Sequence, residues 1–177
     1  RGAAAGDDLS IGVDWRGSMM ANAARDPYWQ AAVRREVLVH PTASAAIQHE
    51  CSACHMPMAR YHAKLSGGLG SVFAHLPVGA AATPEAALAA DGVSCTVCHQ
   101  IAAEGLGEAG SFTAGFVVDG ATPAGRRPVY GPFTVDAGRQ RLMSSGSGFV
   151  PVAADHVQGS EVCATCHTLF THALDAN

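Results

Sequence analysis

Apolar positions recur at helical spacing in only a few stretches of the chain. From 28 to 39, Trp29, Ala32, Val33 and Val37 share roughly one face, with Arg34, Arg35 and Glu36 between them, which predicts a helix. Asp26-Pro27 starts it, as a cap followed by proline in the first turn. His40-Pro41 ends it, because the residue before proline is pushed out of the helical region. Thr42 or Ser44 restarts a helix through Ile47 into Cys51. Residues 56–82 read as irregular, with Gly67, Gly68 and Gly70 as breakers. Thr83-Pro84-Glu85 opens a short helix over 85–90, which Asp91-Gly92 stops. Within a Gly- and Pro-rich insertion, 102–151, the runs 112–118 and 129–135 look β-like and predict one or two hairpins or a long ordered loop. Ser160 is the expected cap of a last helix over 161–174. The fold class expected is mainly α with extensive irregular loops and a small β-hairpin. An extended arm, 1–14, precedes a single domain, 15–177.

Composition changes this picture in one respect. Hydrophobic residues are 48% of the 177, but 34 of them are alanines and aromatics are only 6%, with 20 glycines and nine prolines interspersed. An interior of Ala and Gly buries little apolar area, so something besides side chains is expected to fill it. Charged residues are 15% and the net charge is −4, so no basic stripe exists to replace phosphate counterions and nucleic acid is excluded as a partner. No run of 18 apolar residues is present, so no transmembrane segment is expected.

The six cysteines supply the candidate filler. All fall into three copies of one pattern: Cys51-Ser-Ala-Cys54-His55, Cys95-Thr-Val-Cys98-His99 and Cys163-Ala-Thr-Cys166-His167. C-x-x-C-H is the attachment signature of c-type haem, in which two thiols add to the vinyl groups and the histidine reaches the iron. Zinc knuckles pair evenly and give no reason for a histidine after every second cysteine. A thioredoxin-like site appears once, near a βαβ pattern. Three covalent haem c groups are therefore the cofactors expected, filling the core, with His55, His99 and His167 as proximal ligands. Haem c is attached outside the cytoplasm, so a secreted chain, periplasmic or extracellular, is expected. The start at Arg1, with neither Met nor an apolar leader, suits a processed chain.

A six-coordinate electron-transfer haem needs a second axial ligand, His or Met. His40, clamped by Pro41, His75 in an apolar run, and His156, seven residues before Cys163, are the leading distal candidates. Met20 and His62 rank below them, followed by His49 and His172. Arg126, Arg127, Arg139 and Arg141 cluster in the insertion, where they either pair with haem propionates or form a solvated charged loop.

Five segments carry a resemblance: Trp15-Arg-Gly-Ser-Met-Met-Ala-Asn-Ala-Ala-Arg-Asp-Pro27, His49-Glu-Cys-Ser-Ala-Cys-His-Met-Pro-Met58, Asp91-Gly-Val-Ser-Cys-Thr-Val-Cys-His-Gln-Ile101, Tyr130-Gly-Pro-Phe133 and Ser160-Glu-Val-Cys-Ala-Thr-Cys-His-Thr-Leu169. Together they resemble secreted bacterial multihaem c-type cytochromes. The likeness runs from about residue 15 to the end and implies electron transfer without naming a substrate. Expected partners are other redox proteins or identical subunits in a longer multihaem chain. The alternative is a multihaem enzyme acting on a small nitrogen compound at an open iron.

Overall fold

In the computed structural model, which describes residues 10–80 and 82–171, Asp26 starts the longest helix. Its side chain accepts from the Tyr28 amide and Pro27 occupies the first turn, opening α2 (Pro27–Val39). Before it lies α1 (Ile11–Arg16). After it come α3 (Ser44–His55), α4 (Pro57–Leu65) and α5 (Pro84–Ala90). Thr83 caps α5 through its hydroxyl, 3.1 Å from the Ala86 amide. The chain continues with α6 (Cys95–Gln100), β1 (Pro128–Gly131), α7 (Ala137–Ser147), β2 (Val150–Ala153) and α8 (Ser160–His167). The fold is mainly helical, and no helix among the described residues is long and apolar enough to cross a membrane.

Among the described residues the backbone forms two compact units, one up to Ser94 and one from Cys95 onward. The first has a hydrophobic core of Ala24, Trp29, Val33, Met56, Ala59, Val72 and Ala89, against which Ile47, Cys51 and Phe73 pack. Its N-terminal segment is tied to the stretch after α5. The Trp15 indole donates to the Val93 carbonyl at 3.0 Å, the Val93 amide donates to the Met20 carbonyl at 3.0 Å, and Arg25 donates to the Ala90 carbonyl. Gly92 makes this approach possible: its φ is +59° and a Cβ there would lie 2.6 Å from the Ala21 carbonyl oxygen.

The second unit has few large buried side chains. Its buried apolar residues include Val97, Ile101, Ala114 and Val162. α7 contributes none, although Asp136 caps it through the Gly138 and Arg139 amides.

Several expectations are corrected. Residues 11–14 belong to α1 rather than to an arm, and 1–9 lie outside the described residues. Residues 57–65 are helical because Pro57 is placed in a first turn directly after α3, so the glycines break the chain only beyond Leu65. There is no hairpin in 102–151. β1 pairs with β2 in parallel, Pro128 opposite Val150 and Gly131 opposite Ala153, because α7 crosses between them. Residues 112–118 form no strand; only Val118 makes an isolated bridge, to Ile101. The last helix ends at His167, and Gly159 rather than Ser160 stands at its cap.

Candidate functional site

All three C-x-x-C-H motifs lie on helices, at the ends of α3, α6 and α8. On a helix this spacing is i, i+3, i+4, so both thiols and the imidazole share one face. Cys95 and Cys163 are exposed; Cys51, Cys54, Cys98 and Cys166 are half-buried.

The histidines of the first two motifs are held alike. His55 Nδ1 lies 3.0 Å from the Ala23 carbonyl, and His99 Nδ1 is bonded to the Tyr130 carbonyl. A carbonyl only accepts, so each Nδ1 carries a proton, and in the neutral ring Nε2 is then the nitrogen with the lone pair. Trp29 stacks on His55 with ring centres 4.3 Å apart and planes within 3°. Burial pushes the His55 imidazole below its ordinary 6.5, against the pull of the Ala23 carbonyl and the Asp26 carboxylate, and so favours the neutral ring. His167 is exposed on the last turn of α8.

The second and third motifs share the second unit. Burial raises the Cys98 thiol above its ordinary 9.0, and the neighbouring Cys166, Cys163 and Cys95 add to the effect. Burial also raises Cys51, helped by Glu50 and Glu36. Both thiols therefore stay protonated and weakly nucleophilic near neutral pH.

A strap grips the end of the third motif. Ala114 donates to the Thr165 carbonyl at 2.6 Å and Thr113 to that of Thr168 at 3.0 Å, satisfying carbonyls of the last helical turn. The Phe170 amide donates to Thr113 Oγ1 at 3.0 Å, and Phe112 packs on Phe170. To do this Thr113 and Ala114 adopt φ of 55° and 57°, the left-handed region that residues with a Cβ avoid.

The distal candidates are dispersed. His40 is half-buried at the end of α2, its amide donating to the Glu36 carbonyl. His62, exposed on α4, lies 3.7 Å from Glu85, and Glu85 also acts on half-buried His75, whose ring burial pushes below 6.5. His156 places Nε2 2.8 Å from the Ile101 carbonyl, to which it donates, and its ring meets that of Tyr130 edge-on. Met20 is partly exposed at the turn tied to Val93, while Met56 is the methionine fully buried in the core. His172 lies outside the described residues. In the insertion, Arg127 donates to the Thr122 carbonyl and Arg139 pairs with Asp136 at 3.5 Å. Arg141 donates to the Ala137 carbonyl.

Among the described residues no three or more His, Cys, Asp or Glu side chains gather where they could hold a metal ion. A porphyrin iron asks the protein only for axial ligands, so two thiols and one preset imidazole on a helix face fit covalent haem.

Sequence reasoning missed Ala23 and Tyr130, which act through backbone carbonyls that any residue carries. It also missed the Trp29 stack and the strap, whose left-handed residues are not the glycines that announce such a turn. Comparison with protein-family models, with curated proteins and with solved structures gives no match.

Proposed function

We propose that this chain is an electron carrier holding three covalent haem c groups on Cys51 and Cys54, Cys95 and Cys98, and Cys163 and Cys166. The observation that carries the reading is the pair of histidines, His55 and His99, each directly after a C-x-x-C and each with Nδ1–H on a backbone carbonyl. Metal-ligating histidines are oriented in this way, the second nitrogen fixing ring plane and tautomer. When bound, haem supplies a one-electron iron couple. The chain's own work is to present Nε2 of His55, His99 and His167, to keep the first of these rings from turning against Trp29, and to exclude water.

The small set of buried side chains in the second unit supports a haem-filled core, since two of the three motifs lie there. Distal ligation falls to three of His40, His75, His156, Met20 and His62. His156 serves as one only by using Nδ1 or by releasing the Ile101 carbonyl. Haem c attachment implies an exported protein, periplasmic or extracellular. Exposed Leu169 and Phe170, just beyond the third motif, suit contact with another redox protein or an identical subunit.

The test is intact mass and spectroscopy of the protein matured in its own secretory pathway. The mass should exceed the polypeptide by three haems, and the pigment should stay with the protein in acid-acetone. A colourless protein, or pigment lost to the solvent, would sink the proposal.

A further inference from the structure

His49 and Arg60 meet between α3 and α4. Two residues turn a helix by about 200°, so His49 faces away from Cys51. The Gly70 amide donates to His49 Nδ1 at 2.8 Å. A Cβ on Gly70 would lie 2.3 Å from Ser52 Oγ and 2.7 Å from Arg60 Cγ, so amide, imidazole and arginine stem are tightly packed together. With the Nδ1 lone pair taken, the neutral ring carries its proton on Nε2. That nitrogen faces Arg60 Nη2 at 3.4 Å, and a guanidinium has donors only. Two N–H groups thus converge with no acceptor between them. Arg60 Nε is also buried without a hydrogen-bond partner. Neither ion pair recorded among the described residues, His62–Glu85 or Arg139–Asp136, includes Arg60. Lys64 adds positive charge around His49, and Glu50 opposes it.

We propose that His49 and Arg60 form a seat for a carboxylate, which accepts from the edge of the guanidinium and from the His49 Nε2–H. A carboxylate matches these donors because it is planar, anionic and offers about four lone-pair sites. It has two possible sources, a propionate of a haem carried by the chain or the carboxylate of another molecule. Only the first rests on the proposed function.

The experiment follows the side-chain ¹⁵N signals of His49 and Arg60 in the mature protein, reduced so that low-spin iron is diamagnetic. Sodium acetate is titrated against sodium chloride at equal ionic strength. If the seat serves an outside carboxylate, acetate shifts both signals saturably and chloride does not, and R60Q weakens binding at least tenfold. If a propionate already fills it, acetate moves nothing in the wild type. R60Q then changes a carboxylate infrared band and lowers one reduction potential by the equivalent of about tenfold, ~59 mV for one electron. R60K, which keeps the charge but loses the fork, falls between wild type and R60Q in either case. H49Q serves where R60Q does not mature, with the same direction and a smaller change. Acetate-insensitive signals, together with unchanged infrared bands and potentials in R60K and H49Q, would overturn the seat. Absence of haem with an intact acetate response would overturn the proposed function and leave the seat standing.

Discussion

Gly92 shows how much one residue can be asked to do. It takes a left-handed φ of +59° and lets the Ala21 carbonyl approach to where a Cβ would stand. Gly92→Ala should cost about 2 kcal/mol or more, combining a left-handed penalty of roughly 1–2 kcal/mol with steric overlap. Thermal unfolding measures it, and an unchanged midpoint would mean that the 15–22 segment is not held against the stretch after α5. Asp119 makes a different demand. Its carboxylate accepts from the Thr122 amide at 2.9 Å, the Ala121 amide at 3.0 Å and the Thr122 hydroxyl. These bonds, the hydroxyl's first, hold it below its ordinary 3.8. A carboxylate depressed in the folded state stabilises fully above the unfolded value, and the gain is lost as pH falls through the folded one. Denaturant titrations should therefore show D119A less stable than wild type at neutral pH, with the gap closing as the pH falls below the ordinary 3.8.

At the scale of elements, one glutamine joins a helix to a loop. Gln48 Oε1 accepts from Ser71 Oγ, the Val72 amide and the Phe73 amide at 3.1, 3.2 and 3.1 Å, while its Nε2 bonds Ser44 on its own helix. Gln48→Ala removes the acceptor of three donors, one on fully buried Val72, and should destabilise by about 1–3 kcal/mol. Hydrogen exchange should speed up first at the Val72 and Phe73 amides; protection equal to the wild type would contradict the staple. The elements also mark what can be read locally. α2 and α5 were legible because Asp26-Pro27 and Thr83-Pro84 are complete start signals, each confined to two residues. α4 was not, because it begins without a side-chain cap at Met56-Pro57 and the glycines beyond it dominate the local pattern. β1 falls in the run 129–135 that reads as a hairpin arm and β2 gives no strand signal, because each strand is only four residues long and the partner of β1 lies beyond a whole helix. For the candidate site, the cysteines and the histidines after them stand in the sequence as a repeated word. Their orientation does not, since it depends on carbonyls 32 and 31 residues away, at Ala23 and Tyr130.

For the whole molecule, the two units differ in what holds them. The first has Ala24, Trp29, Val33, Met56, Ala59, Val72 and Ala89 in one cluster; among the described residues the buried apolar ones of the second, Val97, Ile101, Ala114 and Val162, are fewer and smaller in sum. On the proposed function a ligand held only by the folded state stabilises that state by mass action, and a covalent one cannot leave. Chain produced without haem attachment should thus lose protection in the second unit before the first. Hydrogen exchange read by mass spectrometry resolves the two, and equal protection of 95–171 with and without haem would defeat the idea of a haem-filled interior.

The strap has a history as well as a shape. Thr113 and Phe170 are 57 positions apart, and a chain made from its N-terminus delivers the clasp long before the helix it closes on. Thr113 and Ala114 have no reason to hold their disfavoured geometry until the Thr165 and Thr168 carbonyls arrive. Cys163 and Cys166 therefore emerge on a helix that is still open, and the clasp shuts behind them. Cys163 stays exposed with the clasp shut, so the closure fixes the end of the helix without covering that thiol, and in this unit sequence order also sets the order of closure.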